Sequence, residues 1–377
     1  MLMTLPVQRF TALDVFRGLT ICLMIIVNTP GNGATTFSPL LHASWHGFTP
    51  TDLVFPSFLF AVGNAISFVM PKWQNIAQNK VQFKIFKRTF IIFLLGYLMY
   101  WFPFVKWTKA NQIVAFPFDE TRVFGVLQRI ALCYCFASLL IYYYKPKTVI
   151  IVSVFLLIVY WIILYFLGDA IAPYSMQGNA GQLVDKWLLN QTHLYHGEGV
   201  TFDPEGLLST MPAIVNVTAG YLVGKYIQAK GNSYQGLTTL LIAGVLLLFA
   251  AYCSNLFFPI NKKLWTSSFV LHTVGLDCII IAIIIYCINF RKITKGVYFF
   301  EVFGRNPLFI YLLSEILATV LYFIKVNPTT SLYKWIYQTI YVGVGNYVGS
   351  FLFAISIMLI CWLVGYWLDK KKWYIKV

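Results

Sequence analysis

Charge is what this sequence has least of. Only 11% of its 377 residues are Asp, Glu, Lys or Arg, and 13 acidic residues face 28 basic ones. That scarcity excludes a soluble globular protein of this size, in which each helix would need a polar face. Dense Lys/Arg tracts interleaved with aromatics are also missing, so the net charge of +15 does not mark a nucleic-acid surface. The seven cysteines, at 22, 133, 135, 253, 278, 287 and 361, lie in or beside apolar runs. They follow neither a zinc spacing nor a secreted disulfide framework, and they read as small core residues. Cys133 and Cys135, two apart, point to different helix faces and share no metal. The chain has no Walker loop, no Rossmann fingerprint, no H-E-x-x-H and no G-x-S-x-G. No metal is therefore expected. No internal repeat is clear enough to indicate an inverted-repeat transporter.

What the sequence has instead is hydrocarbon. Hydrophobic residues make up 59% of it and its mean hydropathy is +0.72. Runs such as "VIIVSVFLLIVYWIILYFLG" (149–168) and "GLTTLLIAGVLLLFAAYC" (236–253) carry no charge. A membrane-spanning helix needs about 20 mainly apolar residues. The reading is an all-α, polytopic membrane bundle of about ten spans, forming one domain over residues 1–377. The spans are expected at about 16–32, 52–70, 88–103, 122–144, 148–168, 209–227, 236–258, 266–288, 298–323 and 345–368. Loops on the side of the N-terminus, from Arg9 and Arg17 to Lys376, hold eighteen basic residues, and the other side holds eight. The positive-inside rule then puts both termini in the cytoplasm, as an even number of spans also requires. The N-terminus lacks a small-residue cleavage site and does not read as a cleaved signal.

Two long segments fall on the outer side, 31–51 and 169–208, and four of the five histidines lie there. The first contains "LLHASWHGFTPTDLVFPSF". Polar groups at membrane depth cost about 2.5–3.5 kcal/mol when charged, so they tend to face a cavity. His42 in "HASW" suits a general base near neutral pH. It equally suits an interfacial histidine satisfied by a backbone carbonyl. Asp52 starts the second span and fits a helix cap, a role compatible with orienting His42. Asn28 ends the first span. His46 stands in a turn-like "SWHGFTP", beside Trp45. In the second segment His193, Asp203 and Glu205 join Trp45 and His46 as acceptor-binding candidates.

The remaining buried polar groups are basic. Gln128 and Arg129 lie about two turns inside the fourth span, where a guanidinium needs a carboxylate or an anionic ligand, the structural partner being the commoner case. Arg305 and Asn306 lie about two turns into the ninth span, ahead of Pro307, which frees a backbone carbonyl. Arg305, Arg17, Lys84 and Arg88 all sit toward the inside. Each is a candidate for an incoming phosphate, and each is more often a topology anchor.

Seven segments in order, "ALDVFRG", "HASWHGFTPTDLVFPSF", "RVFGVLQRIALCY", "AGQLVDKWLLNQTHLYHGEG", "FDPEGLLSTMPAIV", "FPINKKLWTSSFVL" and "FGRNPLFIYLLSEI", give the chain a family likeness. It resembles the heparan-α-glucosaminide N-acetyltransferase family of transmembrane acyltransferases, including bacterial glucosamine-acetylating members. The resemblance implies transfer of acetyl from cytosolic acetyl-CoA to the amino group of a glucosamine unit across the membrane. It makes His42 the catalytic residue, with Asn28 and Asp52 at the family's neighbouring positions. A bacterial inner membrane, a lipid bilayer partner, no nucleic acid and, by analogy alone, a homodimer complete the expectation. The rivals are O-acetylation of a surface glycan and a sugar permease without chemistry.

Overall fold

The computed structural model describes residues 10–375, so Arg9 and Lys376 lie outside it. Among the described residues the helices are α1 (Thr11–Asn28), α2 (Val54–Trp73), α3 (Gln78–Trp101), α4 (Val126–Tyr143), α5 (Pro146–Leu167), α6 (Ala180–Leu189), α7 (Thr210–Lys230), α8 (Tyr234–Asn255), α9 (Ser267–Ile285), α10 (Val297–Arg305), α11 (Pro307–Phe323), α12 (Leu332–Ile336) and α13 (Asn346–Lys370). Two antiparallel hairpins complete the list, β1 (Val105–Trp107) with β2 (Ile113–Ala115) and β3 (Lys325–Asn327) with β4 (Thr330–Ser331). The fold is an all-α polytopic membrane bundle.

Every expected span has a helix, but the count by length and composition is smaller than ten. Seven helices are long and apolar enough to cross a membrane: α1, α2, α4, α5, α8, α9 and α13. The α10–α11 pair passes the same test only jointly. The helices that fall short are α3 and α7, at 24 and 21 residues. α3 opens with Lys80, Lys84, Lys87 and Arg88. α7 buries Asn216 and Thr218, which a helix enclosed by other helices can do when its polar groups find partners.

The ninth expected span, 298–323, is broken. α10 and α11 meet at 84°, with Arg305 ending the first and Pro307 opening the second. Proline is accommodated at the first position of a helix, where its missing N–H has no partner to lose. Pro307 therefore begins a new helix instead of kinking a continuous one, and Arg305 lies at a helix end, not two turns into a span.

Small residues set the tightest crossings. A Cβ at Gly63 on α2 would fall 1.9 Å from the Val217 carbonyl oxygen on α7, and one at Gly18 on α1 would fall 1.8 Å from that of Phe300 on α10. Glycine lets these backbones touch, which is how helices associate where no water drives burial. At the periphery the pattern reverses. α5 and α8 present Ile151, Phe155, Phe166, Val245 and Phe249 outward, each at least 59% exposed. Such faces belong against lipid.

Both hairpins lie at one end of the bundle, where the Trp107 indole donates to the Phe323 carbonyl at 2.8 Å. The loops 29–49 and 168–209 and the α8–α9 connection share that end and roof the centre of the bundle.

Candidate functional site

The loop after α1 is tied to the start of α2 by the Thr49 and Thr51 hydroxyls, which donate to the Leu41 and Pro39 carbonyls, and by one carboxylate. Asp52 lies in a 3-10 turn, Pro50–Leu53, that leads into α2. Its Oδ2 accepts from the Thr49 amide at 3.0 Å, the Thr49 hydroxyl at 3.1 Å and the Ala43 amide at 3.1 Å. Its Oδ1 stands 2.7 Å from His42 Nδ1. An ionised carboxylate only accepts, so Nδ1 carries the hydrogen and Nε2 keeps its lone pair. One residue thus caps the turn with one oxygen and orients an imidazole with the other. Asp52 is 1% exposed while the His42 side chain is 44% exposed, so the ring projects from a buried anchor.

His42 borders a cavity of about 140 Å³ walled by α1, α2 and α4. Asn28 faces it from the end of α1, with its amide donating to Glu315 Oε1 on α11 at 3.1 Å. Thr51, Glu205 and Lys262 complete its polar lining, and its apolar wall includes Met24, Val54 and Phe55. Lys262 Nζ lies 3.0 Å from His42 Nδ1, 3.1 Å from Nε2 and 3.9 Å from Asp52 Oδ1.

Glu205 is held from behind by Arg122. The guanidinium donates to Glu205 Oε2 at 2.6 Å and to Asp203 at 2.6 and 3.0 Å, between the rings of Tyr100 and Tyr195. Burial pushes the Glu205 carboxyl up, but Arg122, Arg129 and Lys262 outweigh it and hold it below the ordinary range. For Asp203 burial wins over Arg122, and its carboxyl is raised. Asp203, fully buried on Arg122, is a brace with no free face, whereas Glu205 faces the cavity.

The other expected acceptor residues lie in the roof. The Trp45 indole donates to the Tyr174 carbonyl at 2.9 Å and packs edge-on against Phe202. His46 Nδ1 is 3.4 Å from the Asn261 amide nitrogen. His193 Nδ1 donates to the Thr121 carbonyl at 2.7 Å. None of the three lines the 140 Å³ cavity.

The residues expected to bind the donor, Arg17, Arg88, Arg305, Asn306 and Arg129, separate into three places. Arg17 and Arg88 together line a second cavity, about 100 Å³, whose walls include Ala61, Ala65, Trp73, Ile130 and Leu308. Arg17 also meets Asp14 at 2.5 Å, and Arg88 lies over the Tyr134 ring. This second cavity shares α1, α2 and α4 with the first and lies farther from the roof along each of them. Arg305 and Asn306 stand at the α10–α11 break. Arg305 pairs with Asp369 at 2.5 Å and Glu301 at 3.0 Å, and Asn306 clasps the backbone of Trp373 and Ile375. Arg129 is at the His42 end. It is buried, bonded to Ser209 and to the Gly206 carbonyl, and stacked on Trp265.

Sequence reasoning misses Lys262 and Arg122 as site residues, although the chain carries a signal for both. They are two of only eight basic residues on the side where the positive-inside rule expects few. A cation kept there has a local reason. Among the described residues no cluster of three or more His, Cys, Asp or Glu is arranged to hold a metal.

A membrane bundle with an anchored imidazole at the mouth of a half-open cavity is the class that the fold and the site define. Residues 9–240 match the family model described as the catalytic part of heparan-alpha-glucosaminide N-acetyltransferase. The chain belongs to that family. It is 27% identical to the heparan-alpha-glucosaminide N-acetyltransferase of Mus musculus, over 82% of this chain and 54% of the relative. With that of Homo sapiens it shares 26% identity over 82% of this chain and 53% of the relative. The chain spans about half the length of the curated relatives it matches.

Proposed function

We propose that this chain is a transmembrane acetyltransferase. It takes acetyl from acetyl-CoA on the cytoplasmic side and delivers it to the amino group of glucosamine, or of a glucosamine-containing sugar, on the far side of a bacterial inner membrane. The observation that carries this reading is the pair of cavities on one α1/α2/α4 seam, one bordered by His42 and the other by Arg17 and Arg88. From Arg17 to Asn28 the rise along α1 is about 16 Å, a distance suited to an extended arm between a phosphate-bearing head and a reacting thioester.

The chemistry follows from the groups present. An amine attacks only with its lone pair free, so a base must take a proton as the C–N bond forms. His42 Nε2 is that base, its ring held by Asp52. Asn28 donates to the thioester carbonyl, and Glu205 receives the acceptor's ammonium before it is deprotonated. Arg17 and Arg88 meet the donor's phosphates. Arg305, Asn306 and Arg129 act one layer back, through the contacts that hold the break and the Glu205 loop. Trp45, His46, Asp203 and His193 shape the acceptor's entry. Transfer is direct, without an acetyl-histidine. The chain works as a single domain with both termini cytoplasmic, as a homodimer.

The test is acetyl-CoA turnover by purified protein in detergent, against a panel of amino sugars and their N-blocked forms. Free amino sugars should be acetylated and N-blocked ones ignored. Acetylation of N-blocked sugars would move the reading to O-acetylation, and liposome uptake of unmodified sugar without acetyl-CoA would make the chain a permease. Labelled acetyl trapped on the protein in the absence of acceptor would replace direct transfer by a two-step route.

A further inference from the structure

Lys262 and Lys263 are adjacent, yet the loop sends them to different partners. Asn261 Oδ1 accepts from the Leu264 amide at 2.8 Å, closing a tight turn. Trp265 follows at φ 55°, the left-handed region that a bulky residue rarely adopts. Its ring is buried against Arg129, and its N–H donates to Asn216 at 3.1 Å. Strain of this kind persists where surrounding packing over-determines it, commonly beside a functional group. The turn sends Lys263 to the Ser44 carbonyl at 3.0 Å and to Glu198 at 2.6 Å, bracing the roof. Lys262 goes inward, to the two nitrogens of His42 and the cavity shared with Asn28 and Glu205.

Orienting the imidazole does not require Lys262, because Asp52 already receives the Nδ1 hydrogen. The ammonium instead lies across the ring, 3.0 Å from Nδ1 and 3.1 Å from Nε2, next to the free lone pair where a reacting centre must arrive. The nitrogen that gives its proton to Nε2 and the oxygen that gains charge are bonded to the same carbon. A donor touching Nε2 in the empty site is therefore within reach of that oxygen in the occupied one.

Resting on the acetyl-transfer reading above, we infer that Lys262 is a catalytic residue that donates to, and neutralises, the oxyanion of the tetrahedral intermediate, from the side opposite Asn28. The amine forms the C–N bond as the carbonyl π pair moves to oxygen, which Lys262 receives. His42 Nε2 takes a proton from nitrogen. The pair on oxygen then re-forms the carbonyl, the C–S bond breaks, and the departing sulfur takes the proton from His42 as thiol. Burial lowers the Lys262 ammonium from its ordinary range, while the Asp52 and Glu205 carboxylates pull it back toward the charged form.

Lys262→Met and Lys262→Arg, with retention on size exclusion and CoA binding as folding controls, test this. For Lys262→Met, kcat should fall about 10²–10³-fold, the effect of losing one oxyanion donor, with KM for both substrates within threefold. Lys262→Arg should keep more activity than Lys262→Met. Fluoroacetyl-CoA, whose carbonyl needs less help, should narrow the deficit, whereas a merely positional role would lower both donors equally. An equal deficit, a kcat within threefold of the parent, or acetyl found on Lys262 itself by mass spectrometry overturns the inference. If the parent transfers no acetyl to any amino sugar, the acetyl-transfer reading fails; if the parent is active, His42→Ala is dead and Lys262→Met is normal, only this assignment fails. Should Lys262→Met not fold, Lys262→Gln gives the same comparison against Lys262→Arg.

Discussion

The two cavities of the α1/α2/α4 seam differ in how their charges are held. At the His42 end the groups around the cavity interlock: Lys262 lies against His42 and Asp52, and Arg122 binds Asp203 and Glu205. At the Arg17 end the walls are mostly apolar, and the two arginines rest against Asp14 and the Tyr134 ring. Interlocked groups in a low-dielectric pocket are preorganised and cost little to reorganise during a reaction. Arginines beside an apolar slot suit a ligand that brings both a chain and anions. On the proposed reading the first end serves the chemistry and the second holds the donor.

The sharpest way to break that contrast is His42→Ala. Turnover should drop by about 10²–10⁴, the contribution of a positioned base, while CoA binding at the other end stays unchanged. Near-parental turnover would remove chemistry from this end. Asp52→Asn should be milder, about 10²-fold in kcat, because the ring remains but its orienting charge is lost. An effect on CoA affinity instead of kcat would contradict its placement. Arg88→Gln should do the converse. KM for acetyl-CoA should rise about tenfold with kcat preserved, the loss of one charge-assisted hydrogen bond of about 1.5 kcal/mol. A fall in kcat alone would erase the distinction between the ends.

The smallest expected effect concerns pH and the roof. Asp185 on α6 is buried behind Glu205, its Oδ1 accepting from the Leu207 amide at 2.9 Å, near Asp203 and Arg129. Burial pushes its carboxyl up to about 7. A raised carboxyl favours the folded state in its protonated form, so its contribution is complete below the ordinary carboxylate range and lost as pH rises through about 7. The roof should therefore protect its amides from hydrogen exchange better at pH 6 than at pH 8. Asp185→Asn should flatten that difference, and an unchanged slope in the variant would assign the pH response elsewhere.

The sequence was most legible where the membrane dictates it. The expected spans coincide with helices because hydrocarbon thickness sets a run length that composition reveals directly. The exceptions have local causes. Buried polar groups lower the hydropathy of α7, and Pro307 begins a new helix inside what reads as one span, 298–323. In the site, His42 and Asp52 are ten apart, and their pairing could be weighed from the chain. Lys262 is 220 residues from His42, and Glu315 is 287 from Asn28. Pairings at such separations depend on which helices adjoin, which no local pattern encodes.

The sequence alone determined that this protein is a helical membrane bundle, because apolar length and the cost of charge in lipid leave few other solutions. It also put imidazoles and carboxylates at one end. Tertiary packing decided which of them meet. Glycine-mediated helix crossings and a strained turn at Trp265 bring a lysine, an amide and a glutamate from distant segments to one histidine. Side-chain contacts of a few ångströms are fixed by how helices cross, and that geometry is a property of the assembled bundle.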